Sequence, residues 1–169
     1  MLNKIIALLI LTVALLTGAA PDAGAKERRV AFIISNAKYE HGPVLINPPV
    51  DTAAIAATLK DLAFDDIEIV RDATADVLRK RLRDFALKSR LADVSVIYYA
   101  GHGLEADGQN YFVPVDAHLE SDIDIAFEAV GIDLAIRAVS GAKKLKLLIL
   151  DACRDNPFKG GTRGFTRGL

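Results

Sequence analysis

Apolar residues along the chain fall into short β-branched runs that alternate with helical spacings. Val30, Phe32, Ile33 and Ile34 predict a first strand over 28–35. Gly42, Pro43, Pro48 and Pro49 break the pattern and predict a loop over 36–49. Ile55, Leu59 and Leu62 recur at spacings of four and three, which places them on one face of a helix over 51–62. Ile67 and Ile69 alternate in a second strand over 65–70. Leu78, Leu82 and Phe85 give a second helix over 74–89 its inner face. Its outer face carries Arg79, Lys80, Arg81, Arg83 and Lys88 and reads as a solvated face.

A third strand is predicted over 92–100. Asp107-Gly108 is a turn signal ahead of Asn110-Tyr111-Phe112-Val113, so a small hairpin follows. Ile132, Leu134, Ile136 and Val139 predict a third helix within 127–139, and a fourth strand runs over 144–150. Strands that alternate with helices call for an α/β fold with helices on both faces of a parallel sheet. Right-handed crossovers then give the strand order 2-1-3-4.

The first segment stands apart. Met1-Leu2-Asn3-Lys4 is a short basic start, and Ile5 to Leu16 is apolar but for Thr12. Small residues and Ala23-Gly24-Ala25 follow, which is the grammar of a secretory signal peptide over 1–25, cut at about Ala25. The apolar run is short for a bilayer span; the alternative reading is an uncleaved anchor. Export to the periplasm or the exterior is the expectation. At the other end, four glycines with Lys159, Arg163 and Arg167 predict a flexible tail over 159–169, which leaves 26–158 as the folded domain.

Charge and cysteine count narrow the chemistry. The formal net charge is −1, so the balance implies neither nucleic acid nor an anionic membrane as partner. A single cysteine excludes an internal disulfide. An odd cysteine in an exported chain is a reactive thiol or an intermolecular partner.

Two motifs decide between these. Tyr98-Tyr99-Ala100-Gly101-His102-Gly103 follows the third apolar run, and Leu150-Asp151-Ala152-Cys153-Arg154-Asp155 follows the fourth. Both sit just beyond predicted strand ends, where open α/β sheets place their sites. A thiol beside an imidazole makes a nucleophile and its base, so Cys153 and His102 are the candidate catalytic pair. Gly101 and Gly103 leave the backbone free and give a substrate room to approach. The amides of Gly103 and Cys153 are the candidate donors to an oxyanion.

These residues resemble the catalytic motifs of the caspase-like cysteine peptidases, and most of all those of bacterial metacaspases. His102 and Cys153 stand 51 residues apart, close to the roughly 50 of caspases. Ala31 to Ser35, Asn36, Tyr39, Tyr111-Phe112-Val113-Pro114-Val115-Asp116 and Asp155-Asn156-Pro157-Phe158 extend the likeness across 28–158. Asp151, where the caspase pentapeptide has glutamine, and Arg154 point toward the metacaspase type.

The resemblance implies a three-layer α/β/α sandwich and peptide-bond hydrolysis without a cofactor. It also implies a pocket for arginine or lysine formed by Asp51 and Asp151. A carboxylate in a partly desolvated pocket selects a cation and repels an acidic side chain. For Asp51 a helix N-cap is an equal alternative. Asp116, Glu120, Asp122 and Asp124 lie where some metacaspases bind calcium, but they match no ligand pattern, and no metal site is expected. His41 and His118 receive no role.

The resemblance implies that a smaller part with two more strands completes the domain past the cysteine segment, in the same chain or from a partner. The partners expected are a peptide or protein substrate and either a small-subunit-like chain or a second copy. The alternative is a non-catalytic module that pairs with a full-length relative through an open sheet edge.

Overall fold

The computed structural model of the chain describes residues 26–153, the last of them by its backbone alone. The expected signal peptide, the Gly/Arg-rich tail and the Asp155–Phe158 match lie outside the described residues. Six strands form the sheet: β1 (Arg29–Ser35), β2 (Asp66–Arg71), β3 (Val94–Ala106), β4 (Gln109–Phe112), β5 (Val130–Gly131) and β6 (Leu145–Cys153). Four helices accompany them: α1 (Pro48–Asp61), α2 (Ala75–Ser89), α3 (Asp122–Glu128) and α4 (Ile132–Val139).

The parallel part of the sheet runs β2-β1-β3-β6, the expected order with β6 as the fourth strand. The sheet is not parallel throughout. The far half of β3 turns into a hairpin with β4, and β4 pairs in turn with β5, both antiparallel. Asp107 and Gly108 make that turn with φ of 50° and 73°, as a two-residue turn between right-twisted strands requires.

Alternation along β1 explains why it sits centrally. Val30, Phe32 and Ile34 enter one core with Leu78, Leu82 and Phe85 of α2 and Ala135, Ala138 and Val139 of α4. Ala31 and Ile33 enter the opposite core with Leu59 of α1 and Val94, Val96, Tyr98 and Ala100 of β3. Helices therefore cover both faces, in three layers.

Three sequence expectations change. Pro48 and Pro49 open α1 instead of ending a loop; proline is at home in a first helical turn, where its missing N–H has no partner to lose. The helix expected within 127–139 is α4, and a further short helix, α3, precedes it across β5. Ser121 and Asp124 close a capping box at the start of α3, so Asp124 serves the helix. In α4 the buried positions are Ile132, Ala135, Ala138 and Val139, while Leu134 and Ile136 are exposed. The basic face of α2 is partly engaged: Arg81 and Lys88 reach Glu68, and Arg79 donates to the carbonyls of Phe127 and Ala129.

The α1 face is covered unevenly. Leu145, Leu147 and Ile149 of β6 are 49%, 40% and 37% exposed. With Ile55, Leu59 and Leu62 they line a groove of about 430 Å³. Among the described residues β6 pairs only with β3, so its outer edge is open.

Candidate active site

The length of β3 brings the site together. Its first nine residues pair in parallel with β6, ending with His102 opposite Cys153. From Gly103 onward it pairs with β4 instead. His102 thus lies inside a strand, at the switch between partners, and not beyond a strand end as expected. Cys153 is the last residue of β6. Neighbouring strands run about 4.8 Å apart, so two residues 51 apart in sequence are backbone neighbours.

His102 is held on several sides and is only 3% exposed. Its N–H donates to the Tyr39 hydroxyl at 2.7 Å, and the Tyr39 ring packs 4.5 Å from the imidazole. The Tyr99 hydroxyl donates to the His102 carbonyl. The imidazole Nε2 lies 3.2 Å from the carbonyl oxygen of Pro43. A carbonyl only accepts, so Nε2 carries the proton and Nδ1 keeps its lone pair in the neutral ring. Nδ1 is buried and has no hydrogen-bond partner among the described residues. The ring is oriented by a backbone carbonyl on one side and presents a proton acceptor on the other.

Gly101 has a different reason from the one expected. Its φ is not positive; room is what it supplies. A Cβ there would sit 2.7 Å from the hydroxyl oxygens of both Tyr39 and Tyr99. Gly103 packs closely too: a Cβ would stand 3.2 Å from that of Ala152. The Val113 N–H donates to the His102 carbonyl, so that carbonyl points toward β4. In a planar trans peptide the following N–H points the opposite way. The Gly103 amide is therefore aimed to the β6 side, where Cys153 lies.

Asp51 and Asp151 line one pocket of about 320 Å³ with Val44, Leu45, Ile46, Asn47, Pro48, Ala100 and Gly101. Asp151 is the register partner of Ala100, two residues before His102. Asp51 lies in the first turn of α1 but does not cap it, since Asn47 holds the N-cap position. The N-cap alternative for Asp51 is thereby removed. The Tyr98 hydroxyl donates to Asp151 Oδ2 at 2.8 Å.

Of the acids in the stretch where some metacaspases bind calcium, two have partners elsewhere. Asp116 accepts from the Ala75 N–H at the start of α2, and Asp124 from the Ser121 N–H. His41 and His118 pack ring to ring at 4.4 Å, and His118 meets Glu120. Among the described residues no group of three or more His, Cys, Asp or Glu side chains is placed to hold a metal.

In the sequence Tyr39, Tyr98 and Tyr99 stand within motifs with no task that their types announce, and Pro43 reads only as a breaker. Alternation held a signal for Tyr98, which shares its strand face with Ala100 and His102. Nothing local signalled Pro43, because its contribution is a backbone carbonyl.

Burial pushes the His102 imidazole below its ordinary 6.5, and the Pro43 carbonyl opposes this only in part. The fold therefore holds the ring neutral. Its contribution to stability is present above about 6.5 and is lost as pH falls through the lower folded value. NMR titration of the His102 ring should give a midpoint below 6.5, with chemical stability falling as pH is lowered from 6.5 toward that midpoint. A midpoint at or above 6.5 would show that the charged ring is the favoured form.

A caspase-domain family model matches residues 28–166. The human mucosa-associated lymphoid tissue lymphoma translocation protein 1 is 35% identical over 89 residues, covering 53% of this chain and 11% of that protein. Mouse caspase-1 is 25% identical over 130 residues, covering 75% of this chain and 31% of that protein. The chain thus spans a tenth to a third of the length of these curated relatives.

Proposed function

Because the chain belongs to the caspase-domain family, we propose that it is a cysteine-type endopeptidase of metacaspase type that cleaves after arginine or lysine. The observation that supports this most is the register of β3 and β6, which pairs His102 with Cys153 while the buried His102 Nδ1 has no partner among the described residues. Nδ1 takes the thiol proton, and the thiolate sulfur attacks the scissile carbonyl carbon. The C=O electron pair moves to oxygen, where the amides of Gly103 and Cys153 donate. Collapse breaks the C–N bond, and the amine leaves with the proton from His102. Water, deprotonated by the same Nδ1, then cleaves the thioester and restores the thiol.

The pocket beside this pair supplies the preference. Asp51 and Asp151 offer two carboxylates to a cation, and both repel an aspartate side chain. Export follows in this reading from the leader over 1–25, with cleavage near Ala25.

The open edge of β6 and its exposed Leu145, Leu147 and Ile149 support a second reading, an interaction module that pairs with another caspase-fold chain. One labelling experiment separates the two. Arg- and Asp-directed thiol-reactive peptides are incubated with the purified chain and read by intact mass. A single adduct on Cys153 from the Arg reagent alone is expected. A folded sample that gives no adduct with either reagent would favour the module.

A further inference from the structure

We propose that Tyr98 is a positioning residue for the basic-residue pocket, its hydroxyl fixing the Asp151 carboxylate to receive a cationic side chain. This rests on the reading of that pocket given above. The Tyr98 ring is 4% exposed and belongs to the core under α1 with Ala31, Ile33, Val96 and Ala100. A ring so enclosed has little freedom, and its hydroxyl needs a partner. The partner is Asp151 Oδ2 at 2.8 Å.

The reach follows from the sheet. Tyr98 stands opposite Ile149, and Asp151 is two residues further along β6. Such diagonal neighbours lie about 7–8 Å apart between backbones, within the span of an aromatic side chain. The hydroxyl reaches from the core to the carboxylate of Asp151, which lines the pocket with Ala100 and Gly101.

Two effects of the bond oppose each other. Donation to Oδ2 uses one acceptor position and draws off some negative charge. Yet an ionised carboxylate offers about four acceptor positions, so most remain for a guanidinium or ammonium. Against this, Asp151 is an exposed side chain at the end of an edge strand, free to turn to water unless held. Holding it removes the ordering cost from the binding step, which is the larger effect. Desolvation first, then Asp151 itself, push the Tyr98 hydroxyl well above its ordinary pKa of 10.0, so it stays a donor at every pH where a peptidase would work.

Tyr98→Phe removes the hydroxyl and keeps the ring. The probe is benzamidine, an aromatic cation that needs no turnover, titrated calorimetrically into the full chain. The wild type is expected to bind it. Tyr98→Phe should weaken binding about tenfold, the scale of one hydrogen bond to a charged group. On an Asp151→Asn background the same change should alter affinity less than twofold, which a merely structural role would not produce. Affinity of Tyr98→Phe within twofold of wild type would overturn the proposal and leave the pocket standing. A wild type that does not bind benzamidine would overturn both. Equal losses from Tyr98→Phe with and without the Asp151 carboxylate would also overturn it.

Discussion

Cys153→Ala should lower peptide hydrolysis by about 10⁴-fold or more, the loss seen when a nucleophile is removed from a linked catalytic unit. The chain has one cysteine, and in the proposed mechanism the acyl-enzyme forms on that sulfur. The substitution is mild for the fold. Cysteine and alanine differ by one sulfur atom, and the backbone pairing of Cys153 with His102 does not depend on it. Circular dichroism and the unfolding midpoint should stay near wild type while turnover disappears.

His102→Ala is a poorer test of the same step. The imidazole is buried against the Tyr39 ring, so its loss also leaves a cavity of the kind that costs about 2 kcal/mol or more. Activity within tenfold of wild type in Cys153→Ala, against an Arg-containing peptide, would sink the mechanism.

The second large effect belongs to the pocket. Asp151→Asn should lower kcat/KM for arginine substrates about 10²-fold, chiefly through KM. The neutral isosteric citrulline peptide should change by less than about threefold. The amide keeps the shape of the carboxylate and can still accept from Tyr98, so what is lost is charge. Hydrogen bonds to charged groups are worth about 1.5–3 kcal/mol, which spans the expected factor once the bound side chain covers the exposed Asp151 carboxylate.

Asp51→Asn should act in the same direction with an added cost. Asp51 lies in the first turn of α1, where a negative charge faces the positive end of the helix dipole. That variant should therefore lose about 0.3–1 kcal/mol of stability as well as selectivity. Unchanged preference for arginine over citrulline in Asp151→Asn would remove the basic-residue assignment and leave the cysteine chemistry untouched.

The runs Val30–Ile34, Ile67–Val70, Val94–Ile97 and Leu145–Leu150 became β1, β2, β3 and β6 in the expected order, because apolar β-branched runs between helices have few other places to go. The Asp107-Gly108 turn was equally local, since only certain residues accept its positive φ. Both candidate residues stand out for a related reason: each belongs to a motif that continues an apolar run, although His102 lies inside β3 and Cys153 within the last residues of β6.

Failures came where the reason was not local. Pro48 and Pro49 carry the same local signal whether they end a loop or begin a helix, and only the packing of α1 on β1 and β3 decided it. The helix expected within 127–139 starts only at Ile132, because Val130 and Gly131 pair with β4 as β5. Within α4, Leu134 and Ile136 face outward, while Ala135, Ala138 and Val139 pack into the core with α2. The sequence alone determined which candidate residues follow the apolar runs and which strands bear them, because these are written in composition and period. Tertiary structure alone decided that His102 meets Cys153 in register, that Pro43 orients the imidazole, and that Tyr98 reaches Asp151. Each of those joins residues tens of positions apart, and such contacts exist only once strand pairing has fixed the distance between them.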